Sequence, residues 1–223
     1  EETKPMLMTS SGFIPWDDSH HTELSMTDGV PNGKWIFING NNTPRLARID
    51  LKTFRTVEIL EIPNSAGNHS SPFTTENSEY VVCGTRFSIP MKELDVPIDS
   101  YREKFNGTVS FVKVNPESGN MNVEFQIMTP PFDYDLSHAG KGPSHDWFFF
   151  SCYNTEEAYT LLEVNASQKD KDFIMAVNWK KAEQYLKEGK AKDMASEFYH
   201  NVYDESKHSA SSEVLKTVKM LDP

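Results

Sequence analysis

Three stretches of the chain share one rhythm of apolar and polar positions. The first opens on Gly33-Lys34-Trp35-Ile36-Phe37-Ile38-Asn39, continues through Leu46 to Leu51 and ends with Val57 to Ile62. In the last two segments apolar residues alternate in part with polar or small ones, as in strands with one buried face. The second stretch has Tyr80 to Cys83, then Val109 to Asn115, a Pro116-Glu117-Ser118-Gly119 turn, and Val123 to Ile127. The third has Trp147 to Tyr153 and Phe173 to Val177. Trp35 and Tyr80 lie 45 positions apart, Tyr80 and Trp147 67 apart. The second unit therefore carries extra loop, placed at Ser88 to Gly107 by its proline and charge content. Each block offers an inner segment and then about three more strands. Units of roughly 40–45 residues with four antiparallel strands are the blades of a β-propeller, which closes with about four to eight blades. The pattern predicts an all-β chain forming an incomplete propeller of about three to four blades. A stand-alone β-sandwich is the competing architecture, and the repeat weighs against it.

One short helix is predicted over Trp179 to Glu188, with Gly189 suited to the position just past its end. Trp179, Ala182 and Leu186 fall on one face, with Tyr185 beside them. From Lys192 to Pro223 the chain is polar and Ser-rich, and its Val214 to Leu221 stretch hints at a further strand.

Composition narrows the function classes. The net charge of -11 argues against binding to a phosphate backbone, so no nucleic-acid partner is expected. No apolar run approaches the length of a membrane span. The two cysteines, Cys83 and Cys152, sit in or beside apolar strand patterns. They read as buried thiols, and a disulfide between them stays open.

Histidines carry the clearest chemical signal. His20 and His21 follow Asp18-Ser19, and His69 occupies the equivalent point upstream of the next block. The first strand of a propeller blade lines the central channel, so these residues are expected at one channel mouth. Imidazole is the commonest side-chain metal ligand and suits zinc, copper, iron and nickel alike, so spacing alone does not name the metal. Neighbouring strand residues point to opposite faces. His20 and His21 can serve one site only if the chain bends there or if they bind different ions of a cluster. Asp18 is placed to orient an imidazole from behind. A single histidine is usually an ordinary hydrogen-bonded residue, and His138, His145, His200 and His208, in polar loops, fit that reading. A second cluster, Tyr153, Glu156, Glu157, Glu163, Asp170 and Asp172, offers oxygen ligands of the kind calcium takes. It lacks EF-hand spacing, and a solvated acidic loop explains it more simply. The fingerprints of serine hydrolases, P-loops and dinucleotide binding are absent from the sequence.

Asp18-Ser19-His20-His21, Ser25 to Gly29 with Trp35 to Asn39, and Arg45 to Ile49 closely resemble the nitrous-oxide reductase family. So do Asn64 to His69 and Cys152 to Glu156, while Leu161 to Asn178 looks most like the family's second, divergent branch. The resemblance covers nearly the whole chain. It implies that residues 1–223 are an incomplete N-terminal segment of a seven-bladed propeller, which in the family holds a four-copper, sulfide-bridged cluster on seven histidines. It implies that His20, His21 and His69 are the first three copper ligands, with Asp18 beside the cluster. It also implies a calcium site on the Tyr153 carbonyl, Glu156, the Val164 carbonyl (where the family commonly has Met) and Asp170, lacking the remaining asparagine ligand. The family enzyme is a periplasmic homodimer that reduces nitrous oxide to dinitrogen and water. It takes electrons from cytochrome c or a small copper protein through a dinuclear copper centre in a C-terminal cupredoxin domain. That domain and four of the histidines lie outside this sequence, so the resemblance implies that the segment alone is inactive. The rival expectation is a non-catalytic extracytoplasmic propeller module that binds another protein. A weaker third is a calcium-stabilised scaffold with incidental histidines.

Overall fold

The computed structural model describes residues 6–9, 12–16, 19, 21–40, 43–63, 65, 67–69, 71–84, 108–128, 135–141, 146–153, 173–189, 203–204, 209–210 and 215–219. The first sheet is a hairpin, β1 (Met6–Thr9) and β2 (Gly12–Pro15), joined to a meander of β3 (Thr22–Thr27), β4 (Val30–Gly40), β5 (Arg45–Asp50) and β6 (Arg55–Glu61). Its order is β2-β1-β6-β5-β4-β3. The meander is antiparallel throughout, and the hairpin meets β6 by one parallel pair, Thr9 with Thr56.

The second sheet is β7 (Tyr80–Gly84), β8 (Thr108–Val114) and β9 (Met121–Met128), all antiparallel. The preceding segment runs along the free side of β7. Thr74 N–H donates to the Tyr80 carbonyl at 3.0 Å, Val82 N–H to Pro72 at 2.8 Å, and His69 N–H to Gly84 at 3.0 Å. It acts as an irregular fourth strand, with Phe73 bridged to Val81.

The third sheet consists of β10 (Asp135–Lys141), β11 (Trp147–Tyr153), β12 (Phe173–Asn178) and β15 (Leu215–Lys219), in that order. A small pair, β13 (Tyr203–Asp204) and β14 (Ser209–Ala210), precedes β15 in the chain. The helix α1 (Trp179–Lys187) begins at Asn178, whose side chain caps it by accepting the Lys181 N–H at 3.0 Å. It stops at Gly189, where φ of 74° suits a residue without a Cβ.

Among the described residues the fold is thus the expected all-β arc of four-stranded units with one short helix. One detail differs. Trp35, Tyr80 and Trp147 do mark equivalent points, but they lie in the second strand of each unit, within β4 and at the starts of β7 and β11. The leading strands are β3, the His69 to Thr74 segment and β10. These carry few apolar residues, so the periodicity passes over them. The Ser88 to Gly107 insertion lies outside the described residues.

Stacking follows from the two-residue period of a strand. All five residues of β7 are buried. Val81 and Cys83 pack with Trp35, Phe37 and Leu46 of the first sheet, whereas Tyr80 and Val82 pack with Phe148, Phe150 and the helix residue Trp179. The middle sheet is covered on both faces, which is why its strand reads as a nearly unbroken apolar run.

The first and second sheets also share a polar lock. Arg48 pairs with Glu58 across β5 and β6 at 3.1 Å, and both Glu58 oxygens accept the Met121 N–H of β9, at 3.0 and 3.1 Å. The Arg48 guanidinium lies 5.4 Å from the Trp35 ring centre. Gly119 approaches so closely that a Cβ there would stand 2.6 Å from the Trp35 ring and 2.7 Å from Arg48.

Candidate metal centre

His21 is the residue before β3, and His69 begins the leading segment of the second sheet. The two rings meet edge to face, with centroids 5.1 Å apart and planes at 73°. His69 is buried and His21 half-buried. The Nε2 of His21 and the Nδ1 of His69 are each shielded from solvent.

The end of β4 holds this pair together. Residues 35, 37 and 39 point into the protein, and the third of these is Asn39, fully buried. Its Oδ1 accepts the His21 N–H at 2.6 Å, and its own N–H donates to the His21 carbonyl at 3.3 Å. Its Nδ2 donates to the Asn68 carbonyl. Asn68 in turn donates its N–H to the Gly40 carbonyl at 3.1 Å and its side-chain amide to the Arg45 carbonyl at 3.4 Å. Sequence reading passed over Asn39 and Asn68. The available signal was a polar residue of inward parity closing the apolar Trp35 to Ile38 run.

Cys83, on the same strand as the anchor of His69, is a free buried thiol, so no Cys83–Cys152 disulfide forms. Burial pushes its pKa up to about 12, with the Asn68 side chain pulling weakly the other way. It is a neutral thiol at pH 7, whereas the thiolate is the metal ligand. The nitrogen donors that meet here are the imidazoles of His21 and His69.

Two imidazoles converging at this separation fit a metal that accepts nitrogen ligands, with metal–nitrogen bonds of about 2 Å. Among the described residues no group of three or more His, Cys, Asp or Glu is gathered to hold an ion. His20 and Asp18 lie outside the described residues. Of the expected calcium ligands, Tyr153 ends β11 with its backbone paired to Asp135. Glu156, Val164 and Asp170 lie outside the described residues. His138, expected in a loop, belongs to β10 next to Ser137, which pairs with Ser151.

No family model matches the chain. A curated nitrous-oxide reductase from Pseudomonas fluorescens is 30% identical over 179 residues, 78% of this chain and 26% of that protein. Another from Stutzerimonas stutzeri is 26% identical over 170 residues, 76% of this chain and 25% of that protein. The chain therefore spans about a quarter of the length of these relatives. Among solved structures, the hydrazine synthase of Kuenenia stuttgartiensis superposes with a TM-score of 0.51 at 13% identity, covering 86% of this chain and 50% of that one, a likeness of fold alone. No helix among the described residues is long and apolar enough to cross a membrane.

Proposed function

From the relationship of this chain to the nitrous-oxide reductases, we propose that His21 and His69 are ligands of a copper centre serving the reduction of nitrous oxide. The observation that carries the reading is the meeting of two imidazoles from consecutive sheets, 48 positions apart in the chain, with ring centres 5.1 Å apart. Bound copper would supply the coordination of nitrous oxide and the two-electron transfer that, with two protons, gives dinitrogen and water.

The chain's own residues have simpler tasks. His21 and His69 donate nitrogen lone pairs, so both must be neutral, and protons compete with the metal as pH falls. The burial of His69 limits water access. A dry surround strengthens each ligand contact. Cys83 stays protonated and packs as a small apolar group. His20 is assigned as the third ligand on this chain and Asp18 as the carboxylate that orients one of the rings, on the strength of the family resemblance. Calcium on Tyr153, Glu156, Val164 and Asp170, a homodimer, a periplasmic site of action, and electron supply by cytochrome c or a small copper protein belong to the same proposal.

Replacing His21 or His69 with Ala should each abolish copper loading, while circular dichroism keeps its strand signal. Copper content equal to the unsubstituted protein in either variant would contradict the assignment.

A further inference from the structure

We propose that Asn39 is a positioning residue that sets the spacing between the His21 and His69 rings, so that one metal centre can engage both. The inference rests on reading these histidines as ligands. Asn39 sits where strand alternation would put another core side chain after Trp35 and Phe37. It is wholly buried, and both ends of its amide are used. The oxygen takes the backbone N–H of one histidine at 2.6 Å. The nitrogen gives to the carbonyl of Asn68, the peptide unit directly preceding the other histidine. That second histidine is tied on its far side to Gly84 of β7 at 3.0 Å. One planar amide thus spans the junction between the first and second sheets at the point where the two rings meet.

Few side chains can do this. Asp keeps the acceptor but has no donor, so it faces the Asn68 carbonyl with a second acceptor. Leu has the size and neither function. In a buried site such bonds are directional and are not replaced by water. The packed core beneath, Phe37 against Phe73 with centroids 5.4 Å apart, holds the sheets together. It does not dictate an interatomic distance as a bridging amide does.

The test is a competition titration of the full chain with copper(I) against a chromophoric chelator. It compares Asn39→Asp, Asn39→Leu, His21→Ala, His69→Ala and a core control, Phe37→Leu. The histidine variants are expected to lose tight copper(I) binding. Asn39→Asp and Asn39→Leu are expected to bind about tenfold or more weakly, the scale for residues that orient ligands. Phe37→Leu should bind as the unsubstituted chain does, although its thermal midpoint falls. Asn39→Asp binding like the unsubstituted chain would overturn the positioning role, whereas undiminished binding by both histidine variants would overturn the ligand reading itself. Should neither Asn39 variant fold, the unsubstituted chain decides. Copper(I) should shift the Asn39 side-chain amide resonances and slow their exchange, and unchanged resonances would contradict the role.

Discussion

The two faces of the middle sheet are built on different principles. Toward the third sheet and α1, the junction is mainly aromatic, with a polar link where the Tyr80 hydroxyl donates to Glu183 at 2.9 Å. Phe111 stacks on Phe125 with centroids 4.5 Å apart, meets Phe148 edge-on at 6.5 Å, and Tyr80 abuts Trp179 at 5.9 Å. Toward the first sheet, an apolar cluster is bordered by directional polar links. These are the Arg48–Glu58 pair with its reach to Met121, and the Asn39–Asn68 bridge beside the histidines. Apolar area is non-directional and tolerates small shifts. Hydrogen bonds fix distances. The difference teaches where a metal site can be built: ligands drawn from two sheets need the junction that holds atoms, not only surfaces, in place.

The sharpest break in the aromatic junction is Phe111→Ala. This side chain is fully buried between two sheets, and its truncation is expected to lower unfolding free energy by about 3–5 kcal/mol in a urea titration. Copper(I) binding should survive in whatever fraction remains folded. A smaller break in the polar junction is Gly119→Ala. With φ of 76° and no room before Trp35 and Arg48, it is expected to cost about 1–3 kcal/mol, and ring-current shifts at Trp35 should report the displacement.

The effect that is smallest near neutral pH, and emerges only as pH rises, belongs to Cys83. The Cys83 thiol has an ordinary value of 9.0 and is raised to about 12 by burial. The unfolded chain would ionise first. The stability gained by keeping this thiol neutral is therefore whole below about pH 9 and is lost as pH rises toward about 12. Cys83→Ala should flatten that alkaline decline in a pH series of thermal midpoints. An unchanged slope would mean that other groups set it.

Much of this arrangement is legible from periodicity, because β4, β7 and β11 carry apolar runs; only β7 buries both faces, whereas Ile36 and Ile38 of β4 are half-buried and Phe149 of β11 is exposed. The leading strands are not. β3 reads Thr-Glu-Leu-Ser-Met-Thr, with Leu24 exposed and Ser25 buried, so its pattern runs against the usual inward apolar rule. The His69 to Thr74 segment contains a proline and pairs through isolated bonds. From Ser137, Ala139 and Gly140 around it, His138 reads as a loop residue, yet it lies in β10, which absorbs an irregularity between Ser137 and Gly140. His21 and His69 stand out in the sequence because imidazole is a rare side chain recurring at one point of a repeat, and the fold brings their rings together. Asn39 was missed because a polar residue at an inward position has no signature until its two partners are in view.

Copper-edge diffraction from crystals of the copper-loaded protein addresses the central claim most directly. The account predicts an anomalous peak at about 2 Å from a ring nitrogen of His21, and either the same peak or an adjoining one equally close to His69. Copper density elsewhere, with neither ring in its coordination shell, would contradict it.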